Sequence, residues 1–386
     1  MRVLLVANTL PPTDISGVGE QVLQLAAGLR SAGHEVEVLG RGKGGARGPK
    51  LLFPLAVVAP FVRRLRSFRP DVVQVHESDG VLAALAAAVL GGTLDPSPRI
   101  VALLQVSYVE EWRSVRPLTD GTRILGRPSG VERRFRLFKA PLQVLLGWLT
   151  AWLADLVLAP SRRTADELER DYGLNGVGVL PNVTGGLAVE GAARAPERPP
   201  RGYWLFVGRL RIRKGLEVLI DALRRLPADS PELWIAGDGE HRRSLEALVE
   251  RWSLAKRVRF LGRCDGAAVR ALLVGCRALV VPSTYEGMPL VVLEAMEAGR
   301  PVIASAVSGI PEVVRDRVTG WLVPPEDPGA LAMALAEASI DPEEARRRGL
   351  EGRRRLDELY RPGAAAAAWE AAVTGRGTET EGGSRG

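Results

Sequence analysis

The sequence predicts an α/β protein made of two doubly wound, parallel-sheet domains of the Rossmann-like type that face each other across a cleft. Its 386 residues exceed the size at which one hydrophobic core usually stops growing. Short, continuously apolar strands alternate with helical stretches in both halves, as in parallel sheets covered on both faces. A Gly-, Ala-, Pro- and Arg-rich stretch without periodicity, residues 185–202, predicts a linker between the halves.

The first half begins with an apolar strand, a helix over residues 17–32 that ends at Gly33, and a second strand. The same alternation continues to the linker, which makes residues 1–184 the N-terminal domain. The strands predicted in this domain are residues 2–7, 35–39, 71–75, 99–105 and 155–159.

The alternation restarts after the linker, with a helix predicted over residues 215–226, and defines a C-terminal domain over residues 203–355. Its predicted strands are residues 203–207, 232–237, 257–262, 278–283 and 301–305. Asp327 and Pro328 form an N-cap followed by proline at the first helical position, so the chain is predicted to be helical from there to about residue 373. Residues 356–373 form a C-terminal helix for which packing back onto the N-terminal domain is one option. Residues 374–386 are predicted to be a disordered tail.

One apolar stretch, residues 140–160 (APLQVLLGWLTAWLADLVLAP), comes close to the length of a membrane span. Asp155 and Pro160 interrupt it, so we favour a buried helix followed by a buried parallel strand. The chain starts with a short apolar run and a polar turn rather than a secretory signal, and we expect a cytoplasmic protein.

Composition disfavours several classes of function. Three scattered histidines and two cysteines without metal-ligand spacing predict no metal site. The net charge is +7, but only five of the 52 basic residues are lysine and acidic residues lie among them, so we do not expect nucleic-acid binding. A basic face near an anionic membrane or an acidic substrate stays open.

The string YEGMPLVVLEAMEAG at residues 285–299 carries the most specific chemical signal. Glu286 follows a strand, and the helix predicted to begin near Pro289 presents free amides and its dipole to an anion. Two carboxylates, Glu286 and Glu294, flank this anion site and must accept hydrogen bonds from hydroxyls. A phosphate with hydroxyls on both sides describes a nucleotide diphosphate sugar, with Glu286 on the sugar side and Glu294 on the ribose side.

Two cations are predicted at the same sheet edge. Arg209 closes the strand at residues 203–207 and Lys214 precedes the next helix. A guanidinium fork and an ammonium group are the usual complement to a diphosphate. We interpret the intervening Arg211 and Arg213 as solvated neighbours.

Glycines at the start of the first helix predict a second phosphate contact. Gly17 and Gly19 lack the Cβ that would keep backbone away from a phosphate. Val22 stands where a dinucleotide fingerprint has its third glycine, so no nicotinamide or flavin cofactor is expected.

With these motifs the chain resembles the retaining nucleotide-sugar glycosyltransferases of the GT-B fold (glycosyltransferase family 4 type, glycosyl transferases group 1), typified by sucrose synthases and bacterial phosphatidylinositol mannosyltransferases. The resemblance covers nearly the whole chain, and Glu286-x7-Glu294 is its most specific mark. The matching strings are SGVGEQVLQLAAGLRSAGHEVEVL, VLAPS, GVGVLPN, FVGRLRIRKG, IAGDGE, FLG, YEGMPLVVLEAMEAGRPVIAS and GWLVPPED.

The resemblance implies roles for the candidate residues. The N-terminal domain would bind the acceptor, with Gly17 closing the diphosphate site from that side. Arg209 and Lys214 would hold the diphosphate and stabilise the leaving group without a metal. The donor sugar and ribose would be held by Glu286, Gly287, Met288, Pro289, Leu290 and Glu294.

The sequence departs from the family pattern at the end of the fourth strand. Many relatives have a histidine there, facing the anomeric carbon, whereas this chain has Gln105, which can donate a hydrogen bond but cannot take a proton. We include Gln105 with Glu286, Arg209 and Lys214 as candidate catalytic residues. His76, at the end of the third strand, is our candidate on the acceptor side.

Three functions compete. The first is retaining transfer of a sugar from a nucleotide diphosphate sugar to an acceptor that is lipid-linked or a glycan, with peripheral membrane contact as a further expectation. A hydrolase with Glu286 and Glu294 as an acid and nucleophile pair is the second, but it leaves Arg209 and Lys214 unexplained. The third is a partner protein that keeps the fold and has lost catalysis, for which the argument is Gln105.

Overall fold

The computed structural model describes residues 1–10, 17–41, 45–46, 48–185 and 202–375. The predicted linker, apart from its two end residues, and the predicted tail beyond residue 375 lie outside the described residues.

The strands of the described chain are short and match the apolar runs of the sequence. They are β1 Arg2–Val6, β2 Glu35–Leu39, β3 Val72–His76, β4 Arg99–Leu103, β5 Leu118–Thr119, β6 Ile124–Gly126, β7 Leu156–Ala159, β8 Gly178–Val179, β9 Tyr203–Val207, β10 Glu232–Ala236, β11 Val258–Gly262, β12 Ala278–Val281, β13 Val302–Ser305 and β14 Gly320–Val323.

Helices connect nearly all of these strands. They are α1 Gly17–Ser31, α2 Phe53–Ala56, α3 Val58–Phe68, α4 Val81–Gly91, α5 Tyr108–Ser114, α6 Gly130–Arg134, α7 Ala140–Trp152, α8 Arg162–Tyr172, α9 Leu216–Arg224, α10 Arg242–Arg251, α11 Gly266–Gly275, α12 Leu290–Glu297, α13 Ile310–Val313, α14 Pro328–Ile340, α15 Pro342–Leu359 and α16 Pro362–Thr374. A π-helical turn, Phe135–Lys139, joins α6 to α7.

The chain folds into two compact units. The first contains Met1–Ser107, Gln143–Val183 and the chain from Tyr360 onward, and the second contains Tyr108–Leu142 and Thr184–Leu359. Each unit has its own parallel sheet, as the strand and helix alternation predicts.

The sheet of the first unit has the order β2-β1-β3-β4-β7-β8, and its neighbouring strands pair in parallel. Its core includes Leu25 and Leu29 of α1 and Trp369 of α16, which pack into one cluster. The helix that packs on α1 therefore begins at Pro362, and not at residue 356. Proline cannot supply the amide that would continue α15, so the chain breaks between α15 and α16.

The sheet of the second unit has the order β11-β10-β9-β12-β13-β14, again parallel throughout. Its edge strand β14 was not predicted as a strand. The long C-terminal helical stretch starts as the sequence indicates, because the Asp327 side chain accepts a hydrogen bond from the amide of Ala330 at 2.9 Å.

Residues 108–142 belong to the second unit, although the sequence analysis placed them in the N-terminal domain. Leu118 is fully buried in the core of the second unit. Arg116 forms an ion pair with Glu326, and Arg123 forms one with Asp221 at 2.8 Å. These contacts join positions about 100 to 200 residues apart, which strand alternation along the chain cannot reveal.

The expectation of a buried helix followed by a buried strand over residues 140–160 is half right. β7 is buried, but α7 turns large apolar side chains to solvent and buries small ones. A helix that is apolar all round gives no periodicity from which the packed face can be read. Among the described residues, no helix is both long and apolar enough to cross a bilayer.

Candidate functional site

Lys214 and Glu286, two of the residues predicted to hold a donor, lie at the carboxyl end of the second unit's sheet, the edge at which ligands of open α/β sheets bind. β9 and β12 are neighbours in this sheet, with Leu205 opposite Leu279. The loops that leave these two strands carry Lys214 and Glu286. Adjacent strands therefore bring together side chains that lie 72 positions apart in the sequence.

Lys214 and Glu286 form a buried ion pair in which Nζ of the lysine donates to Oε1 of the glutamate. The same oxygen accepts a hydrogen bond from Ser283 Oγ at 2.7 Å. The amide of Glu286 donates to Ser308 Oγ at 3.3 Å. The carboxylate is therefore held by two donors on one oxygen, and Ser308 fixes the backbone of the same residue.

The electrostatics of this pair reflect an excess of positive charge nearby. Burial alone would raise the pKa of Glu286, but the charges of Lys214 and Arg213 and the hydrogen bonds from Lys214 and Ser283 outweigh it, so the pKa lies below its ordinary value. Burial lowers the pKa of Lys214, and the charges of Arg213 and Arg211 act in the same direction while Glu286 opposes them. Glu286 is thus ionised near neutral pH.

Gly215 allows the lysine loop to approach the next strand. Its φ is +66°, and a Cβ at this position would lie 2.0 Å from the carbonyl oxygen of Pro282, which follows β12. A short 3-10 turn at Ile212–Lys214 leads into this glycine, which caps α9. Glycine is therefore required to place Lys214 beside the Glu286 loop.

Arg213 and Arg211 are not the solvated neighbours that the sequence analysis expected. Arg213 is largely buried, lies 3.4 Å from a carboxylate oxygen of Glu111, and donates to the carbonyl of Tyr285 at 3.4 Å. Arg211 is partly buried, with Nε 3.3 Å from Glu240. The carboxylates that pair with these two arginines lie far away in the sequence, so the local sequence pattern could not reveal them.

Arg209 differs from Lys214 in its exposure. Its side chain is 61% exposed, and Nε donates to Oε2 of Glu240 at 3.3 Å. The structure thus brings Lys214 and Glu286 together but leaves Arg209 exposed, with Glu240 as its carboxylate partner.

The remaining donor-site candidates precede or lie on α12. Pro289 caps the helix, so Leu290 is its first residue, and Glu294 follows one turn later and is partly buried. Gly287 and Met288 are buried in the turn between Glu286 and the helix. The helix therefore begins next to Pro289, as predicted, with Glu286 before it and Glu294 on it.

A buried network behind the lysine loop was missed by the sequence analysis. His241 lies between two carboxylates, with Nε2 on Glu132 and Nδ1 2.9 Å from Oε1 of Glu217. Glu132 also accepts the amide of Ile212, in the lysine loop, at 2.8 Å. Ser129 and Glu132 form a capping box on α6, and the S-x-x-E pattern was the one readable sign of this.

The two carboxylates keep His241 charged. Burial alone would lower the pKa of His241, but hydrogen bonds to Glu132 and Glu217 and their charges raise it to about 9. For Glu132, burial acts to raise the pKa, but hydrogen bonds from His241 and from the amides of Ile212 and Ser129 lower it to about 2. The network therefore supports the lysine loop with a buried imidazolium.

Gln105 sits in an amide network at the carboxyl end of the first unit's sheet. Its Nε2 donates to Gln21 Oε1 at 3.3 Å, and its Oε1 accepts from Asn182 Nδ2 at 2.9 Å. Its backbone amide donates to Glu77 Oε1 at 3.0 Å. The side chain is buried and fixed in orientation, in a chemistry suited to hydrogen bonding rather than proton transfer.

Glu77 is a further residue that the sequence did not reveal. It follows β3 with φ 63° and ψ 178°, a conformation that is essentially restricted to glycine. Strained residues of this type concentrate at functional sites. No pattern in the sequence signals a positive φ at a glutamate.

His76 is not placed where an acceptor could reach it, which corrects its assignment to the acceptor side. The ring is fully buried, with Nε2 3.0 Å from Gln74 Nε2. Burial lowers its pKa to about 3, so it is neutral. Gln74 in turn accepts a hydrogen bond from Trp369 Nε1 at 2.6 Å, which makes His76 part of the packing beneath α16.

Of the two predicted glycines, Gly17 is exposed at the first residue of α1. Gly19 is buried, and a Cβ there would lie 2.1 Å from the carbonyl oxygen of Thr9, so backbone packing alone already requires glycine at this position.

Two family models match the chain. Glycosyltransferase Family 4 matches residues 15–184, and Glycosyl transferases group 1 matches residues 193–355. A glycogen synthase of Mycobacterium tuberculosis is 31% identical over an alignment that covers 92% of this chain and 90% of that relative.

Solved structures have the same fold. A sucrose-phosphate synthase from Thermosynechococcus elongatus matches with a TM-score of 0.76 and 24% identity, covering 97% of this chain and 98% of that one. Anabaena HepE, solved in complex with UDP and glucose, matches with a TM-score of 0.66 and 18% identity, covering 97% of this chain and 100% of that one. At these identities the likeness concerns the fold.

Proposed function

Because the chain belongs to the GT-B glycosyltransferases of the family 4 type (glycosyl transferases group 1), we propose that it transfers a sugar, with retention, from a nucleotide diphosphate sugar to an acceptor hydroxyl. We propose further that transfer needs no metal ion. The observation that carries the proposal is the buried pair of Lys214 and Glu286 at the carboxyl end of the second unit's sheet.

Each member of this pair fits one part of the donor. A diphosphate offers Lys214 a stronger anionic partner than one carboxylate, and the freed Glu286 carboxylate would accept hydrogen bonds from sugar hydroxyls. Glu286 suits this task because its pKa is held below the ordinary value, so it stays an acceptor. A glycosidase acid needs the opposite shift, which is a reason to set the hydrolase aside.

The proposed reaction is a front-side displacement. The acceptor oxygen bonds to the anomeric carbon on the face from which the diphosphate oxygen leaves, and that leaving oxygen takes the proton of the acceptor hydroxyl. Lys214, with Arg209, would stabilise the negative charge that develops on the leaving diphosphate. The route requires no proton acceptor at position 105, and the fixed amide of Gln105 would orient the sugar.

We propose an acceptor that is lipid-linked or a glycan, in the synthesis of a glycolipid, a surface polysaccharide or another glycoconjugate, by a cytoplasmic enzyme at the inner face of the membrane. The similarity to a glycogen synthase supports a glycan acceptor. Basic residues that precede α7 are exposed, and positive charge of this kind supports activity near an anionic membrane surface.

The test is incubation of the protein with labelled UDP-, GDP- and ADP-sugars, with and without EDTA, and with acceptor extracts that include lipids and glycans. We expect transfer from one donor class, unchanged by EDTA, with the anomeric configuration of the donor kept in the product. Donor binding without transfer to any extract, together with activity gained by Gln105→His, would favour a lapsed enzyme instead. Inversion of configuration would refute the proposed mechanism.

A further inference from the structure

One face of α7 exposes large apolar side chains to solvent. We call the residues Leu142, Leu145, Trp148 and Trp152 the apolar face of α7; their exposed fractions are 53%, 52%, 40% and 68%. At 3.6 residues per turn, the spacings of three, three and four place them within an arc of roughly 120°. The rings of Trp148 and Trp152 stack with centroids 6.3 Å apart.

The opposite face of α7 is the packed one, and it consists of small residues. Ala140, Thr150 and Ala151 are buried there, together with Gly147. A surface helix of a water-soluble protein normally buries its large apolar residues and exposes polar ones. α7 does the reverse, and contiguous apolar surface of this kind marks an interaction site.

Charge around α7 identifies the kind of partner. Between Glu132 and Asp155 the sequence contains no acidic residue. The turns that lead directly into α7, in the same continuous helical run, carry four exposed cations: Arg133, Arg134, Arg136 and Lys139. A second copy of this chain would bring the same positive charges, whereas an anionic lipid surface complements them.

The length of α7 defines how it would meet a bilayer. Thirteen residues extend about 20 Å, short of the roughly 30 Å hydrocarbon core. Tryptophan rings favour the boundary between headgroups and acyl chains. A helix of this type lies in the plane of the membrane with its apolar face turned inward.

We propose that the apolar face of α7 docks on an anionic lipid bilayer, with the four preceding cations on the headgroups. The inference deepens the proposed membrane contact, and so rests on the proposed function. It assigns that contact to one helix face and to the charges that precede it.

The test is flotation of the full chain with phosphatidylcholine vesicles that contain or lack phosphatidylglycerol, without donor or acceptor. We expect binding to the anionic vesicles that weakens as salt is added. The double variant Trp148→Ser and Trp152→Ser should lower this binding at least tenfold. The matched control is Leu85→Ser with Val89→Ser, two exposed apolar residues of α4, which should leave binding within twofold.

Removal of the cations that precede α7 tests the same inference independently of the tryptophan variant. The triple variant Arg133→Gln, Arg134→Gln and Lys139→Gln should lower binding about fivefold per charge removed. The control Arg243→Gln, Arg251→Gln and Lys256→Gln removes an equal number of exposed cations elsewhere and should have little effect.

Because vesicle binding is measured without turnover, failure of sugar transfer would not affect this result, and failure of binding would not affect sugar transfer to a soluble acceptor. Absence of binding to anionic vesicles, or equal binding by the tryptophan variant, would overturn the inference. So would self-association of the wild-type chain that the tryptophan variant abolishes, if no vesicle binding accompanies it, because the face would then belong to a second copy.

Discussion

Replacing His241 by glutamine should change how stability depends on pH. His241 lies between Glu132 and Glu217, and Glu132 also holds the amide of Ile212 in the lysine loop. The substitution removes the positive charge that both carboxylates share. The second unit should therefore lose stability in the range where the wild-type imidazole is charged.

The magnitude follows from the pKa of His241, which is raised from 6.5 to about 9 in the folded chain. At 1.36 kcal/mol per pKa unit, this corresponds to stabilisation on the order of 3 kcal/mol. A raised pKa means that the folded chain keeps its proton after the unfolded chain has lost it. The contribution is complete below about pH 6.5, declines as pH rises, and is lost above about pH 9.

The assay is urea unfolding of the wild type and of His241→Gln at pH values from 6 to 9.5. The quantity of interest is the difference in unfolding free energy between the two proteins. We expect it to be largest at pH 6 and to shrink toward pH 9.5. Arg251→Gln, an exposed substitution on α10, is the control and should show a small difference that does not vary with pH. A His241 difference that is constant or grows with pH would refute the reasoning.

Three further predictions concern single residues. Gln105→Ala should lower turnover about tenfold or more by losing an orienting hydrogen bond, while nucleotide affinity stays unchanged. Steady-state kinetics measure the turnover and titration calorimetry the affinity. A loss of affinity as large as the loss of turnover would contradict this role. Glu77→Gly should be more stable than Glu77→Ala by about 1–3 kcal/mol, because only glycine adopts the backbone conformation of Glu77 without strain. Urea unfolding of the two variants measures the difference. An alanine variant of equal stability would show that the backbone is unstrained. Glu286→Gln should lower turnover more than nucleotide affinity, since the carboxylate would act on the sugar; kinetics that change only KM would contradict that role.

Local patterns in the sequence predicted most of the fold. β2 and β9 match their predicted bounds, and the other predicted strands differ by one or two residues, because continuous apolar runs bounded by turns specify buried parallel strands. Strands β5, β6, β8 and β14 were missed. The first three span only two or three residues, too few for a pattern, and the edge strand β14 begins at Gly320, a residue that is uncommon in strands.

The contact between Lys214 and Glu286 was predictable because both residues follow strand ends. Parallel strands that are neighbours in the sheet bring Lys214 and Glu286 to the same edge, and both positions could be read from the apolar runs before them. The partners that hold this site in place could not be read. Glu132 and His241 are 109 positions apart, and the contact depends on tertiary packing alone.

Packing also decided the roles that the sequence assigned wrongly. His76 ends β3 and Gln105 follows the end of β4 by two residues, yet His76 is enclosed beneath α16 while Gln105 joins a polar network. α7 is apolar on every side, so its sequence could not show which side packs. In each instance the missing information was the neighbour in space.

The binding of nucleoside diphosphates by wild type, Lys214→Ala and Arg209→Ala tests the central claim most directly, and titration calorimetry with UDP, GDP and ADP measures it. Arg251→Ala is the control. We predict that the wild type binds one of the three nucleotides, that each site variant weakens this binding by roughly 1.5 to 3 kcal/mol, and that EDTA has no effect. Unchanged affinity in both site variants, or loss of wild-type binding in EDTA, would contradict the account.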